Sequence, residues 1–260
     1  MPIFERVGDA YLPTELARGP WWVDALHGGP VAALAVHAAE RHQAAEGALV
    51  ARVLVELVRQ VPLAPLRPVV EVVHAGRATR SLRVRVEAAG QVVSLAHVLL
   101  LQQRQVRLPE YVAPRPPADS PDDGICDPGM AGDEVIRFHS HAVQIAFVQG
   151  SYERPGPTAA WIRLDTELIA GEQPTPAQRA AAIADLTGIG AALDGAAYTF
   201  PNADLSVRLH RYPDGEWLRL AADATIGPAG GGVATGVLAD RHGPVGRVEQ
   251  GIVVRESPRR

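Results

Sequence analysis

A chain of 260 residues with a net charge of −4 and an apolar share of 47% has the size and composition of a soluble folded body with a sizeable core. Its 25 basic residues are all arginine, none forms a basic stripe, and the weak negative charge gives nucleic-acid binding no electrostatic support. The single cysteine, Cys126, excludes an intrachain disulfide and a cysteine-built zinc site. Residues 1–10 carry Glu5, Arg6 and Asp9 and no apolar signal core, and apolar runs such as 98–101 are too short to span a bilayer. A cytoplasmic protein without a membrane span is therefore expected.

In the first half, Gly28-Gly29-Pro30 leads into a helix, with Pro30 suited to its first turn. Val31, Leu34, Ala35 and Ala38 recur at helical spacing and give it an apolar face, and Gly47 suits its C-terminal end. Strands are predicted at 52–60, 69–75, 81–88 and 92–101, with Ala89-Gly90 turning between the last two. The clearest alternation places Leu82, Val84 and Val86 on one face and Ser81, Arg83 and Arg85 on the other.

A proline- and glycine-rich stretch over residues 107–133 reads as a linker between an N-terminal unit (1–106) and a C-terminal unit (134–260). Strands are predicted at 136–148 and 160–168. A second helix starts at Thr175-Pro176-Ala177-Gln178, a capping box with proline in the first turn, and runs to Gly188. Four strands follow at 203–211, 216–224, 232–239 and 244–254, separated by turn-forming glycines, prolines and aspartates. A helix followed by antiparallel strands, repeated at half the chain length, points to an α+β fold of two similar units.

Particular residues carry more than this pattern. Leu26-His27-Gly28-Gly29-Pro30-Val31 resembles the entry to the central helix of hotdog thioesterases. The stretch 202–211 with Glu216-Trp217-Leu218, and the ending Asp240-Arg241-His242-Gly243-Pro244-Val245 with Glu249-Gln250-Gly251, resemble the C-terminal half of the type II acyl-CoA thioesterase family. That resemblance implies a double hotdog, two antiparallel sheets each wrapped around a long helix. It also implies hydrolysis of an acyl-CoA substrate with no cofactor or metal, CoA entering only as part of the substrate, and association into a homo-oligomer. Residue by residue, it puts the water-holding acid on Asp204, its threonine on Thr225 and its glutamine on Gln250. It gives His27, Gly28 and Gly29 to substrate binding, the glycine amides offering an oxyanion site at a helix start. In the family's strand order, the strand of Asp204 docks beside the last strand rather than beside 216–224.

Taken singly, these residues have plainer readings: Asp204 as a turn residue, Thr225 as an ordinary strand residue, Gln250 as an exposed strand position. His139 and His141 share one face of a predicted strand, a spacing that can bind metal, but with no carboxylate or cysteine partner evident nearby they are expected to be solvent-facing or core histidines. No serine sits in a Gly-x-Ser-x-Gly elbow, and no glycine-rich loop precedes a helix as nucleotide fingerprints require. Two other functions fit the same fold: an acyl-CoA-binding protein without catalysis, and a hydratase or dehydratase using a histidine and an acid.

Overall fold

The structure, a computed structural model, describes residues 1–42, 45–127, 135–152, 154–191 and 193–257. The chain begins with a hairpin of β1 (Phe4–Val7) and β2 (Ala10–Pro13), then α1 (Gly28–Glu40). Four strands follow: β3 (Ala48–Glu56), β4 (Leu66–Ala75), β5 (Thr79–Ala88) and β6 (Gln91–Gln102). After β7 (Ile125–Asp127) the second half comprises β8 (Val143–Ser151), β9 (Arg154–Leu164), α2 (Pro176–Ala184), β10 (Tyr198–Thr199), β11 (Asp204–Leu209), β12 (Trp217–Ile226), β13 (Gly231–Asp240), β14 (Gly243–Val253) and β15 (Arg255–Glu256).

The expected two sheets are one. Thirteen strands run β1-β2-β4-β5-β6-β3-β11-β14-β13-β12-β9-β8-β7, with the halves joined where β3 pairs β11 from Asp204↔Glu56 to Arg208↔Arg52. Edge-to-edge joining turns two exposed edges into one hydrogen-bonded seam, leaving only short strands at the rims. β11 docks against β14 and not β12, as the family's order implies.

Both helices cover the same face of this sheet and lie antiparallel to each other. Glu40, ending α1, accepts hydrogen bonds from Thr175 Oγ1 (2.8 Å) and Gln178 Nε2 (2.7 Å) at the start of α2. At the other end, a Cβ added to Gly29 would strike the Ala182 carbonyl oxygen, so only glycine lets α2 come this close. Because α1 is flanked by sheet and α2 together, it is buried almost all round, which is why its composition is nearly all apolar. The Thr175 capping box forms as predicted. α2 is shorter than the expected long helix: it stops at Ala184 and tightens into a 3-10 turn over Asp185–Gly190.

Two other departures matter. The strand predicted from 136 starts at Val143, because Phe138–Ala142 forms a π-helical turn. His139 is consequently buried while His141 is exposed, so the two do not share a strand face. The end of the linker, 128–133, and residue 134 lie outside the described residues, but what precedes them is anchored: β7 pairs β8, and Asp119 accepts hydrogen bonds from Trp161 Nε1 (2.8 Å) and Arg219 Nε (2.7 Å). No helix among the described residues is long and apolar enough to cross a membrane.

Candidate active site

Asp185 is the C-cap of α2 and the first residue of the 3-10 turn. A carboxylate there faces the negative end of its own helix dipole, and its side chain is only 1% exposed. A buried charge persists only if neighbours meet it. His27 Nδ1 lies 2.6 Å from Oδ2. Asn202 Nδ2 donates to Oδ1 at 2.8 Å. Gln250 Nε2 donates to Oδ1 at 2.9 Å and to the Asp185 carbonyl at 3.1 Å. The positive end of α1 completes the ring, so close that a Cβ on Gly28 would sit 2.7 Å from both carboxylate oxygens.

The arrangement fixes the state of His27. Its Nδ1 lies 3.3 Å from the Gly29 amide and 2.6 Å from the carboxylate, and one nitrogen cannot accept from the first while donating to the second. The shorter, charge-assisted contact wins. Nδ1 therefore carries a proton directed at Asp185, and the Gly29 N–H is left for another acceptor.

These groups stand at the inner end of a cavity of about 1090 Å³ lined by both halves of the chain, just above the usual size range of small-molecule sites. His27, Gly28, Asp185, Asn202 and Gln250 all line it. Its apolar walls include Trp21, packed edge-on against Phe200 at 4.8 Å, with Leu186, Ile189 and Ile252.

Of the residues expected at the centre, the structure gathers His27, Gly28 and Gln250, with Gly29 immediately behind them. It does not gather Asp204 or Thr225. Asp204 is turned away from the cavity, its Oδ1 accepting the Gly251 amide of β14 at 2.6 Å. Thr225 is exposed and pairs with Val233, one row beyond the Ala234↔Gln250 pair. The cause is strand parity. In β11 the buried positions are Leu205, Val207 and Leu209, and in β12 they are Leu218, Leu220 and Ala222, so 204 and 225 point outward. In β14, Val248, Gln250 and Ile252 point inward, so Gln250 faces the cavity instead of being an exposed strand position. Sequence reasoning missed Asp185 and Asn202. A signal for Asp185 was present: it is an acid set in the run Ala181-Ala182-Ile183-Ala184-Asp185-Leu186, otherwise wholly apolar.

The family model for the acyl-CoA thioesterase N-terminal domain matches residues 17–104, and that for the acyl-CoA thioesterase C-terminal domain matches 109–254. No protein with a curated description matches the chain. Among solved structures, the TesB protein of Mycobacterium avium subspecies paratuberculosis is similar over 98% of this chain and 96% of its own, at 19% identity and a TM-score of 0.70. The acyl-CoA thioesterase II TesB2 of Mycobacterium marinum has the same coverage, 17% identity and a TM-score of 0.68. A protein of Alicyclobacillus acidocaldarius described by its hot dog fold again has that coverage, with 18% identity and a TM-score of 0.75. These likenesses establish the hotdog fold.

Proposed function

The chain belongs to the acyl-CoA thioesterase family, and from that premise we propose that it hydrolyses an acyl-CoA by direct attack of a water held at Asp185, Gln250 and Asn202. The observation that carries this reading is the buried Asp185 carboxylate at the inner end of the cavity, held by two side-chain amides and a histidine. A carboxylate offers roughly four acceptor positions. The contacts from Asn202, Gln250 and His27 occupy three of them, leaving one for a water that surrenders its proton as it attacks. The carbonyl oxygens of the Gln250 and Asn202 side chains can accept a hydrogen bond from the water's other O–H and fix its direction.

As the water oxygen bonds to the thioester carbon, charge builds on the carbonyl oxygen. The amides of Gly28 and Gly29 open α1, and the tautomer of His27 leaves the Gly29 N–H unspent. They suit this oxyanion, aided by the helix dipole. The intermediate collapses by breaking the carbon–sulfur bond, releasing the acid and the CoA thiolate, which needs little further help to leave. The acyl chain lies along the apolar walls.

Asp185→Asn should lower the rate of thiol release from acyl-CoA at least ~100-fold, and unchanged release would remove Asp185 from the mechanism. The His27–Asp185 pair at 2.6 Å is the one feature that also suits a hydratase or dehydratase. Consumption of an enoyl-CoA without thiol release would favour that reading.

A further inference from the structure

Resting on that reading, we infer that Arg59 and Arg255 form the subsite for the phosphate groups of CoA. Both line the cavity, and both are exposed, so they stand at its solvent side and not beside the buried Asp185. Their placement follows from the backbone. Leu57 N donates to Ala203 O at 2.9 Å, and Val253 N donates to Pro201 O at 2.9 Å. The chain leading to Arg59 and the chain leading to Arg255 thus flank the segment 199–203 on opposite sides. β10 and β15 extend this arrangement, pairing Thr199 with Arg255. Two strand spacings, roughly 10 Å, separate the flanking chains.

The same segment carries Asn202, which touches Asp185. A ligand whose reacting carbon sits at Asp185 and which leaves the cavity along 199–203 therefore passes between two guanidinium groups. Their commitments are light. Arg59 donates to Gln91 Oε1 at 2.6 Å, a neutral partner, and the Arg255 side chain has no hydrogen-bond or ion-pair partner among the described residues. The one acid nearby in the lining, Asp194, spends an oxygen on the Ala196 amide in its own turn. Two guanidinium groups without an acidic partner among the described residues, at the solvent side of a cavity whose walls include Trp21, Leu186 and Ile189, suit a ligand with an apolar inner part and an outer end rich in phosphate. A thioester lacking phosphate would use only the inner half.

The test compares binding of CoA and of pantetheine, which lacks the phosphates, by titration calorimetry on the full-length protein at low salt. The wild type should bind CoA more tightly, with a preference that falls as salt is raised. The Arg59→Gln/Arg255→Gln double variant should reduce the CoA-over-pantetheine preference about tenfold, a screened fraction of what two charge-assisted contacts supply when buried. Arg59→Lys/Arg255→Lys should recover part of it. The inference is overturned if wild-type protein binds both ligands equally or binds no CoA. It is also overturned if the Gln variant weakens both ligands alike, which would mark a structural role. Thiol release from acyl-pantetheine by the wild type tests the hydrolase reading separately, because it needs no phosphate subsite.

Discussion

Gly28 and Gly29 are adjacent, yet adding one methyl group to each should fail in different ways. At Gly28 the new Cβ would stand 2.7 Å from both oxygens of Asp185, so the carboxylate must retreat by about 0.7 Å to reach ordinary contact. That retreat strains the 2.6 Å contact to His27 and the amide contacts from Asn202 and Gln250. Losing one charge-assisted bond costs about 1.5–3 kcal/mol, offset by about 0.4–1 kcal/mol from the lower chain entropy of alanine in the unfolded state. Gly28→Ala should therefore lose about 1–2 kcal/mol of stability. It should lose about 100-fold in kcat, the scale of an ångström-sized misplacement at a reacting centre. At Gly29 the Cβ would meet the Ala182 carbonyl, which is backbone and cannot swing aside. The helices must separate, so Gly29→Ala should lose about 3 kcal/mol, with the larger effect on the fold. The assays are urea midpoints at constant m-value and thiol release measured per folded molecule. A Gly28→Ala protein with wild-type kcat would refute the reasoning, as would a Gly29→Ala protein with an unmoved midpoint.

Two further outcomes follow from anchors away from the site. The Asp240 side chain is wholly buried and accepts hydrogen bonds from both terminal nitrogens of Arg211 and from the amides of Asp214 and His242. Burial pushes its carboxyl up, but the Arg211 bonds followed by the two amides outweigh it and hold it at about 2. Its folded value lies below the unfolded ~3.9, so its contribution is complete above that range and fades as pH falls toward about 2. Asp240→Asn should cost about 3 kcal/mol at pH 7, and its gap from wild type should close in acid; a gap independent of pH would contradict this. Asp119→Ala should free the segment before β7 and strip the Trp161 indole N–H of its partner. Faster tryptic cleavage at Arg107 or Arg115, with a red-shifted tryptophan emission, is expected; unchanged cleavage would show that the anchor is dispensable.

Much of this architecture is legible in the sequence. The capping box at Thr175, the glycine entry at Gly28 and the alternation of Leu82, Val84 and Val86 each report a local rule that the fold obeys. Long-range pairing is less legible. Nothing local says that β3 and β11 fuse two sheets into one, because an edge strand and a paired strand share the same alternation. The site divides along the same line. Gln250, His27 and Gly28 carry both a resemblance and a geometry. The parity of β11 and β12, readable in Leu205-x-Val207 and Leu218-x-Leu220, turns Asp204 and Thr225 outward. Asp185 escaped notice because helical periodicity carries the eye through 181–186 as one apolar run. Only the packing of α1 against α2 shows that its carboxylate has a ring of partners waiting.

The identity of the acid that holds the water is tested most directly by two isosteric variants measured side by side, Asp185→Asn and Asp204→Asn. The asparagine at 204 can still accept the Gly251 amide through its side-chain oxygen, so the fold is kept. Thiol release from acyl-CoA should fall at least ~100-fold in Asp185→Asn and remain within a few-fold of wild type in Asp204→Asn. The reverse result, activity lost at 204 and kept at 185, would contradict the account.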